Sequence, residues 1–531
     1  MHATIPIRCD SGLIMGSGHV MRCRTLARQL RRHDVDVLFL CRQQPGDLIQ
    51  LLADEFAVRT LPSLPASASG AAQPTEPASW LGCTQDQDAA DTLAAIAAVA
   101  PASIPWIVAD HYGVAAPWHL RVVGDLRRQG HQARLLVIDD LADRDLAADL
   151  LVDQNWLRSD GLQLYKQRVP KSCRCLLGPH YALIGDEFAM LHKILPSRIA
   201  PLQKLLIFFG GADPGNISEL CLRALLEPSP LPIKIDVVLG PSNIHRQRLE
   251  HLTRAHPQVR LHGPQPSLVG LIAQADLAIG AGGVTSWERA CLGLPALMSS
   301  LASNQDAVIR QLSQAGAAVD LGPAAQLSAK TVRGTVQQLL NGTLDLLALS
   351  SRARTITDGL GTRRVVAAML GPRLPISVRK AEAADEAIWL HWANDSESRA
   401  ASFSHDPISP QQHHLWFSTR LMDPATQLLI AHTADGLPLG SVRFEQISGG
   451  AHGTQWLVSL ALEPACRGHG LAASMLMEAI ATLRQYSDGC GELVAEVKPS
   501  NLASISLFEK AGFKACAPRR SKALCFQRTI I

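Results

Sequence analysis

Arg8-Cys9-Asp10-Ser11-Gly12-Leu13-Ile14-Met15-Gly16-Ser17-Gly18-His19-Val20-Met21-Arg22 reads as a strand end, a glycine-containing loop and the start of a helix. Such a helix start is a natural anion site. Glycine lets the backbone approach a ligand, the first N–H groups lack intrahelical partners, and the helix dipole favours negative charge. His19 would stand beside that anion, placed to act as a general base towards water. The same residues also suit a plain tight connection, because short glycine motifs match by chance.

Outward from this stretch, short apolar runs alternate with helix-like segments to about residue 190: Asp36-Val37-Leu38-Phe39-Leu40, Trp106-Ile107-Val108-Ala109-Asp110 and Leu135-Leu136-Val137-Ile138-Asp139. That alternation predicts an α/β fold with a parallel, doubly wound sheet. Two of the runs end in aspartate, and ligands of open α/β sheets bind at the carboxyl ends of strands. A second α/β pattern begins at Lys204-Leu205-Leu206-Ile207-Phe208-Phe209-Gly210-Gly211 and fades near residue 370. Gly371-Pro372-Arg373-Leu374-Pro375 predicts a linker, since two prolines interrupt regular structure. Beyond it, Ile376-Ser377-Val378-Arg379 reads as the first strand of an α+β unit. The expected organisation is two Rossmann-like domains, 1–195 and 196–370, followed by 376–531; 531 residues suffice for three cores. Residues 62–79, rich in Pro, Ala and Ser, predict a surface loop without chemistry.

Fifty basic against 47 acidic residues, a formal charge of +3, give no electrostatic case for nucleic acid or an anionic membrane. Small molecules are the expected partners. The 12 cysteines form no Cys-x-x-Cys pair and no zinc-site spacing, which predicts reduced thiols. With no basic-then-apolar leader and no long uninterrupted apolar span, a cytoplasmic protein without membrane insertion is expected. Asp139 and Asp140 should point to opposite faces of an extended chain, so no metal is expected.

The run Arg467-Gly468-His469-Gly470-Leu471-Ala472 follows the apolar stretch Trp456 to Leu462 and opens a helix-like pattern, the arrangement that holds a pyrophosphate on backbone N–H groups. Downstream, Leu493-Val494-Ala495-Glu496-Val497 reads as a strand, and the residues from Pro499 to Phe513 as a loop and a helix with a glycine C-cap.

Asp110-His111-Tyr112, Ile138-Asp139-Asp140, Gly178-Pro179-His180-Tyr181-Ala182-Leu183, Gly210-Gly211-Ala212-Asp213-Pro214, Gly282-Gly283-Val284-Thr285-Ser286-Trp287-Glu288 and Asn304-Gln305 occur in an order that resembles the UDP-sugar hydrolases of pseudaminic acid synthesis, the PseG family. The resemblance covers the first two-thirds of the chain and implies a fold like the two-domain GT-B glycosyltransferases. It implies release of UDP from UDP-2,4-diacetamido-2,4,6-trideoxy-β-L-altropyranose, with His19 activating water at the anomeric carbon. The UDP-sugar would be held by Gly16, Gly18, Arg22, Asp110, Tyr112, Gly211, Gly282, Gly283, Thr285, Glu288, Asn304 and Gln305. Glu288 would accept hydrogen bonds from the ribose hydroxyls, a task suited to a carboxylate facing two adjacent donors. Tyr112 suits either the cleft or the core.

The C-terminal third resembles the GNAT acyltransferases. That resemblance implies acetyl-CoA as co-substrate, bound by Leu460, Leu462, Arg467, Gly468, His469, Gly470, Leu471, Ala472, Asn501 and Phe508. Trp389, Trp392, Asn394, Asp395, Arg399, Ile408, His413 or His414, Trp416 and Phe417 resemble the PseH type, which acetylates the 4-amino group of the UDP-sugar. Phe508 stands where many GNAT enzymes carry a tyrosine that protonates the departing thiolate, and it cannot donate a proton. The general acid is therefore unassigned. Glu496 suits either a proton relay from the amine or a solvated strand edge. Two alternatives stay open: a glycosyltransferase with a sugar or lipid acceptor, and a hydrolase regulated by a non-catalytic acyl-CoA-binding domain.

Overall fold

The computed structural model describes residues 3–63, 77–155, 161–198, 201–450, 453–486, 491–520 and 522–530. Most of the predicted 62–79 loop, and Cys490, lie outside the described residues. The chain forms two compact units, Met1–Val365 and Val366–Ile531. Their boundary falls inside the helix Gly361–Leu370, ahead of the stretch with two prolines, whose first three residues form a short 3₁₀ turn.

The first unit holds two sheets. Strands β1 (Thr4–Cys9), β2 (Asp36–Arg42), β3 (Ala57–Leu61), β4 (Trp106–Asp110), β5 (Arg134–Ile138), β6 (Leu150–Asp153) and β7 (Arg174–Leu177) pair in the order β3-β2-β1-β4-β5-β6-β7. All six pairings are parallel. β4 is buried at every residue, as a parallel strand covered on both faces must be, which is why these segments read as continuous apolar runs. From β1 the chain winds one way to β2 and β3, then crosses to β4 on the other side. The crevice of such a sheet opens at that reversal. Cys9 pairs with Asp110 there, so the end of β4 lies level with the glycine loop that follows β1.

A buried charge network missing from the sequence reading pins the start of that loop. The fully buried Arg8 donates to Asp10 at 2.5 and 2.9 Å and to Asp88 at 3.0 and 2.8 Å. Arg42 donates to Asp88 through its side chain at 2.9 Å and to Asp10 through its backbone at 2.7 Å. Trp118 adds its indole N–H to Asp88. Burial works against the charge on Asp10, but Arg8 and His111 outweigh it and hold the carboxyl far below its usual range.

Strands β8 (Lys204–Phe208), β9 (Lys234–Val238), β10 (Val259–His262), β11 (Leu277–Gly280), β12 (Ala296–Ser300) and β13 (Ala318–Pro323) form the second sheet, ordered β10-β9-β8-β11-β12-β13 and parallel throughout. Alternate residues fill two cores. Leu205, Ile207, Val237 and Ile279 pack on one face, and Leu206, Val238, Ala278 and Met298 on the other. Phe208 pairs with Gly280 at the reversal between β8 and β11, so the turns at Gly210-Gly211 and Ala281–Val284 emerge side by side.

The second unit carries β14 (Ile376–Lys380), β15 (Thr426–Thr433), β16 (Pro438–Gly450), β17 (Gly453–Leu462), β18 (Gly491–Val497), β19 (Lys514–Cys516) and β20 (Leu524–Ile530), ordered β14-β15-β16-β17-β18-β20-β19. Among the described residues only β17 and β18 pair in parallel, joined by the crossover helix Leu471–Tyr486. Their ladder runs from Thr454↔Gly491 to Leu457↔Val494 and stops. β17 stays on β16 to Leu462, while β18 stays on β20 to Val497. The sheet therefore opens as a wedge, with Val458 to Leu462 along one lip. The observed architecture is the expected one: two Rossmann-like sheets and a mixed α+β unit.

Candidate functional site

His19 enters the first unit one residue into the helix Gly18–Arg31, whose first turn carries no acidic residue and no side-chain cap. It is 5% exposed. Its Nδ1 lies 2.6 Å from Asp110 Oδ1, at the end of β4. A carboxylate there draws the imidazole proton to Nδ1 and leaves the Nε2 lone pair to receive one. Arg22, one turn further on, donates to Asp110 at 2.7 Å through both Nε and Nη2, and to Asp140 Oδ2 at 2.6 Å. Burial opposes charge on Asp110, and Arg22 and His19 more than offset it, so the carboxyl is held far below its normal range. A fixed carboxylate therefore stands behind the His19 ring.

Tyr112 is buried. Its ring meets the His19 ring edge-on at 4.5 Å between centroids, and its hydroxyl donates to Asp140 at 2.6 Å. Of the cleft and the core, the two places the sequence left open, its burial fits the core, and from there it also walls the imidazole. Asp140 also accepts from Asn155 at 3.2 Å. Asp139 points elsewhere, accepting from the backbone of Leu141 and Ala142 and from Tyr165, which matches the opposite faces expected of adjacent carboxylates. Sequence reading took Asp140 as part of a family motif, weighed it against metal, and missed it as the partner of Arg22 and Tyr112. Its signal was the second aspartate after a strand, visible but without a partner in the linear chain.

The glycine turns of the two sheets meet at this helix start. A Cβ on Gly211 would sit 3.2 Å from Ser17 Oγ, and one on Gly18 would sit 4.0 Å from Val284 Cγ2. Gly16 holds φ at 78°, a left-handed conformation that favours glycine. Gly282 is closed in by Ile309 and Gln305, whereas Gly283 is exposed with open space around it. Thr285 opens the helix Thr285–Cys291 that carries Glu288. The Glu288 carboxylate forms no hydrogen bond or ion pair among the described residues. Burial and then the nearby Glu187 push its pKa up to about 7.

Several expected ligands serve the scaffold instead. Arg22 is engaged by Asp110 and Asp140, behind His19. Gln305 Oε1 accepts from the backbone N–H of Gly282 at 3.3 Å and of Leu301 at 3.0 Å, bracing the turn. Asn304 is exposed beside it.

In the second unit, Gly468 and Gly470 take φ of 75° and 78° immediately before the helix Leu471–Tyr486, and both are exposed. The loop thus turns left-handed twice. His469 lies between them, and Leu471 and Ala472 begin the helix. Leu460 and Leu462 are half-buried on the wedge lip. Arg467 departs from the expectation. Its guanidinium pairs with Asp395 at 2.6 Å and Glu397 at 3.0 Å and donates to the Leu462 carbonyl at 3.1 Å, so acidic partners already neutralise it. Asn501 caps the helix Leu502–Lys510, accepting from Ser504 N–H at 3.1 Å. Phe508 is 3% exposed and packs on Phe513 and Phe526. It lies in the core, where a ring without a polar tip gains by burial. Glu496 pairs with Arg520 at 3.0 Å on a nearly buried side chain, which excludes a freely solvated edge.

The remaining C-terminal pattern is largely a clamp. Asn394 exchanges two 2.8 Å hydrogen bonds with the backbone of Ile408, Trp392 donates to Glu463, and Arg399 donates to the Asp406 carbonyl. His413 stacks on Phe417 with neither ring nitrogen hydrogen-bonded, while His414 is exposed beside Glu386.

Comparison with known proteins agrees with this division. Residues 376–514 match the Acetyltransferase (GNAT) domain family. The spore coat polysaccharide biosynthesis protein SpsG of Bacillus subtilis is 27% identical over 203 residues, 38% of this chain and 59% of that protein, so less than two-thirds of that relative is spanned. The uncharacterized protein MJ1062 of Methanocaldococcus jannaschii is 21% identical over 533 residues and 96% of each chain. Among solved structures, MurG of Acinetobacter baumannii aligns with 69% of this chain and 98% of its own at 17% identity and a TM-score of 0.47.

Proposed function

We propose that this chain, a PseG-like pair of α/β sheets joined to a GNAT domain, is a two-activity nucleotide-sugar enzyme. One activity hydrolyses UDP-2,4-diacetamido-2,4,6-trideoxy-β-L-altropyranose to the free sugar and UDP; the other transfers acetyl from acetyl-CoA to the 4-amino group of the UDP-sugar precursor. The observation that carries the hydrolase reading is the 2.6 Å His19–Asp110 contact at a helix N-terminus flanked by glycine turns from both sheets.

The diphosphate is a good leaving group, so the protein must mainly position water and stabilise charge. His19 Nε2 takes a proton from water as its oxygen bonds to the anomeric carbon. The bond from that carbon to the diphosphate oxygen breaks, and its electron pair leaves with UDP. The N-terminus of Gly18–Arg31 and the turns at Gly211 and Gly283 supply N–H groups to the diphosphate. Attack opposite the leaving group inverts the anomeric centre. Glu288, free of protein partners, takes the ribose hydroxyls.

In the second unit the two left-handed glycines and the helix start receive the CoA pyrophosphate, and the lip from Val458 to Leu462 offers backbone groups to the pantetheine arm. The sugar amine attacks the thioester carbonyl, and the carbon–sulfur bond breaks to release CoA. Glu496 is the carboxylate nearest in role to a relay for the amine proton, with Arg520 holding it in place. Phe508 and the Glu496–Arg520 pair together favour one second reading, a domain that binds acyl-CoA without transferring it. Incubating the protein with UDP-4-amino-4,6-dideoxy-sugars, with and without acetyl-CoA, and identifying products by mass and NMR separates these readings. Acetylated UDP-sugar together with free sugar and UDP supports the proposal; CoA binding with no acetyl product sinks the transferase half, and a glycoside product in place of free sugar sinks the hydrolase half.

A further inference from the structure

We propose that Cys516 and Cys525 form a thiol–disulfide site that oxidation converts into a staple across β19 and β20. The two residues are direct partners in the antiparallel register, Cys516↔Cys525. Either kind of antiparallel pair sets the Cα atoms about 4.5 or 5.5 Å apart, inside the span of about 4.4–6.8 Å that a disulfide bridges. Direct partners also project from the same face. Both thiols are free.

The pair is asymmetric in a way that suits exchange chemistry. Cys516 is half-buried on the edge strand, where an oxidant can reach it; Cys525 is 3% exposed behind it. Burial, then the contact with Cys516, pushes the Cys525 thiol up to about 12, so Cys516 is the attacking sulfur and Cys525 the resolving one. With a small disulfide such as oxidised glutathione, the Cys516 thiolate attacks one sulfur and expels the first glutathione thiolate. Cys525 then gives up its proton and attacks the Cys516 sulfur, expelling the second. Two protein thiols are oxidised, one glutathione disulfide is reduced to two thiols, and no other reactant is needed.

The position gives the site a consequence. Cys525 is also the register partner of Glu496 in β18, so Glu496, Cys525 and Cys516 form one row across three strands. Arg520, which holds Glu496, sits in the connection that the staple would close. β19 is an edge strand of three residues, the segment of this sheet with fewest ladder bonds to hold it.

The test is a titration of the full chain across ratios of oxidised to reduced glutathione, with acid quenching, alkylation, digestion and peptide mass mapping. A Cys516–Cys525 linked peptide, lighter by two hydrogens, is expected before any other pair of the 12 cysteines joins, and dithiothreitol should remove it. Cys516→Ser should abolish the link. Cys525→Ala should instead accumulate glutathione on Cys516. The proposal is overturned if wild-type protein retains glutathione on Cys516 without resolving it, if both thiols remain alkylatable under strongly oxidising ratios, or if the link forms only in urea.

Discussion

The role proposed for His19 rests on what lies behind it. Asp110 is short-bonded to its Nδ1 and held anionic by Arg22, so Asp110→Asn should keep the shape of the site while removing both the tautomer preference and the counter-charge. The expected outcome is a fall in kcat for UDP release of about 10²- to 10⁴-fold with little change in KM, read by a coupled UDP assay. Equal losses in KM would place Asp110 in binding instead. Glu288 makes a pH prediction. Its pKa is raised from 4.5 to about 7 in the folded protein, so its contribution to stability is intact below pH 4.5 and is lost as pH rises through 7. Glu288→Gln should therefore match the parent's stability in acid and exceed it at pH 8, by up to about 3 kcal/mol if the whole shift is relieved, as read by denaturation at each pH. Ribose hydroxyls donate to the carboxylate form, so UDP should bind the parent more tightly as pH rises through 7, and the Gln variant should show a flat profile by calorimetry.

At the scale of elements, helix ends are fixed by local residues. Ser409, Pro410 and Gln412 form a capping box with proline in the first turn of Pro410–Met422, a local signature that needs no tertiary partner. Ser409→Ala should cost about 1 kcal/mol, measured as a lower denaturation midpoint with unchanged slope; a neutral result would mean that packing of Phe417 alone holds that helix. The glycine loops were legible for the same reason, because a left-handed φ at Gly16, Gly468 or Gly470 is a demand on one residue type. The uses of Arg22, Arg467 and Gln305 were not legible. Each looked like a ligand for phosphate or sugar from its motif, and each is taken up by Asp140, by Asp395 or by the Gly282 turn, 118, 72 and 23 positions away in sequence.

For the whole molecule, the two activities proposed for one chain make a separable prediction. His19→Ala should abolish UDP release and leave acetyl transfer, whereas Gly470→Val should remove acetyl transfer and leave UDP release, since a side chain there meets a φ of 78° and Pro372 Cγ at 2.8 Å. Both products from each variant are read in one mass-spectrometric assay. Retention of hydrolysis in the first variant would falsify the role given to His19. Gly470→Ala serves as the milder companion, with weaker acetyl-CoA binding expected rather than loss of the unit.

The alternation of apolar runs with helical segments was enough to determine two parallel sheets and a third, mixed unit, because burial on both faces of a strand and one face of a helix writes its period directly into the chain. The glycine turns and the helix starts beside them were determined locally as well. Tertiary structure alone decided which charges meet. Arg8 with Asp88, Arg22 with Asp140 and Glu496 with Arg520 are pairs whose members are individually ordinary, and only strand order and register bring them within hydrogen-bond reach. The same holds for the early end of the β17–β18 ladder and for Cys516 opposite Cys525. Conformational preference belongs to a residue and its neighbours, whereas electrostatic and covalent partnership depends on distance in space, which the linear chain does not contain.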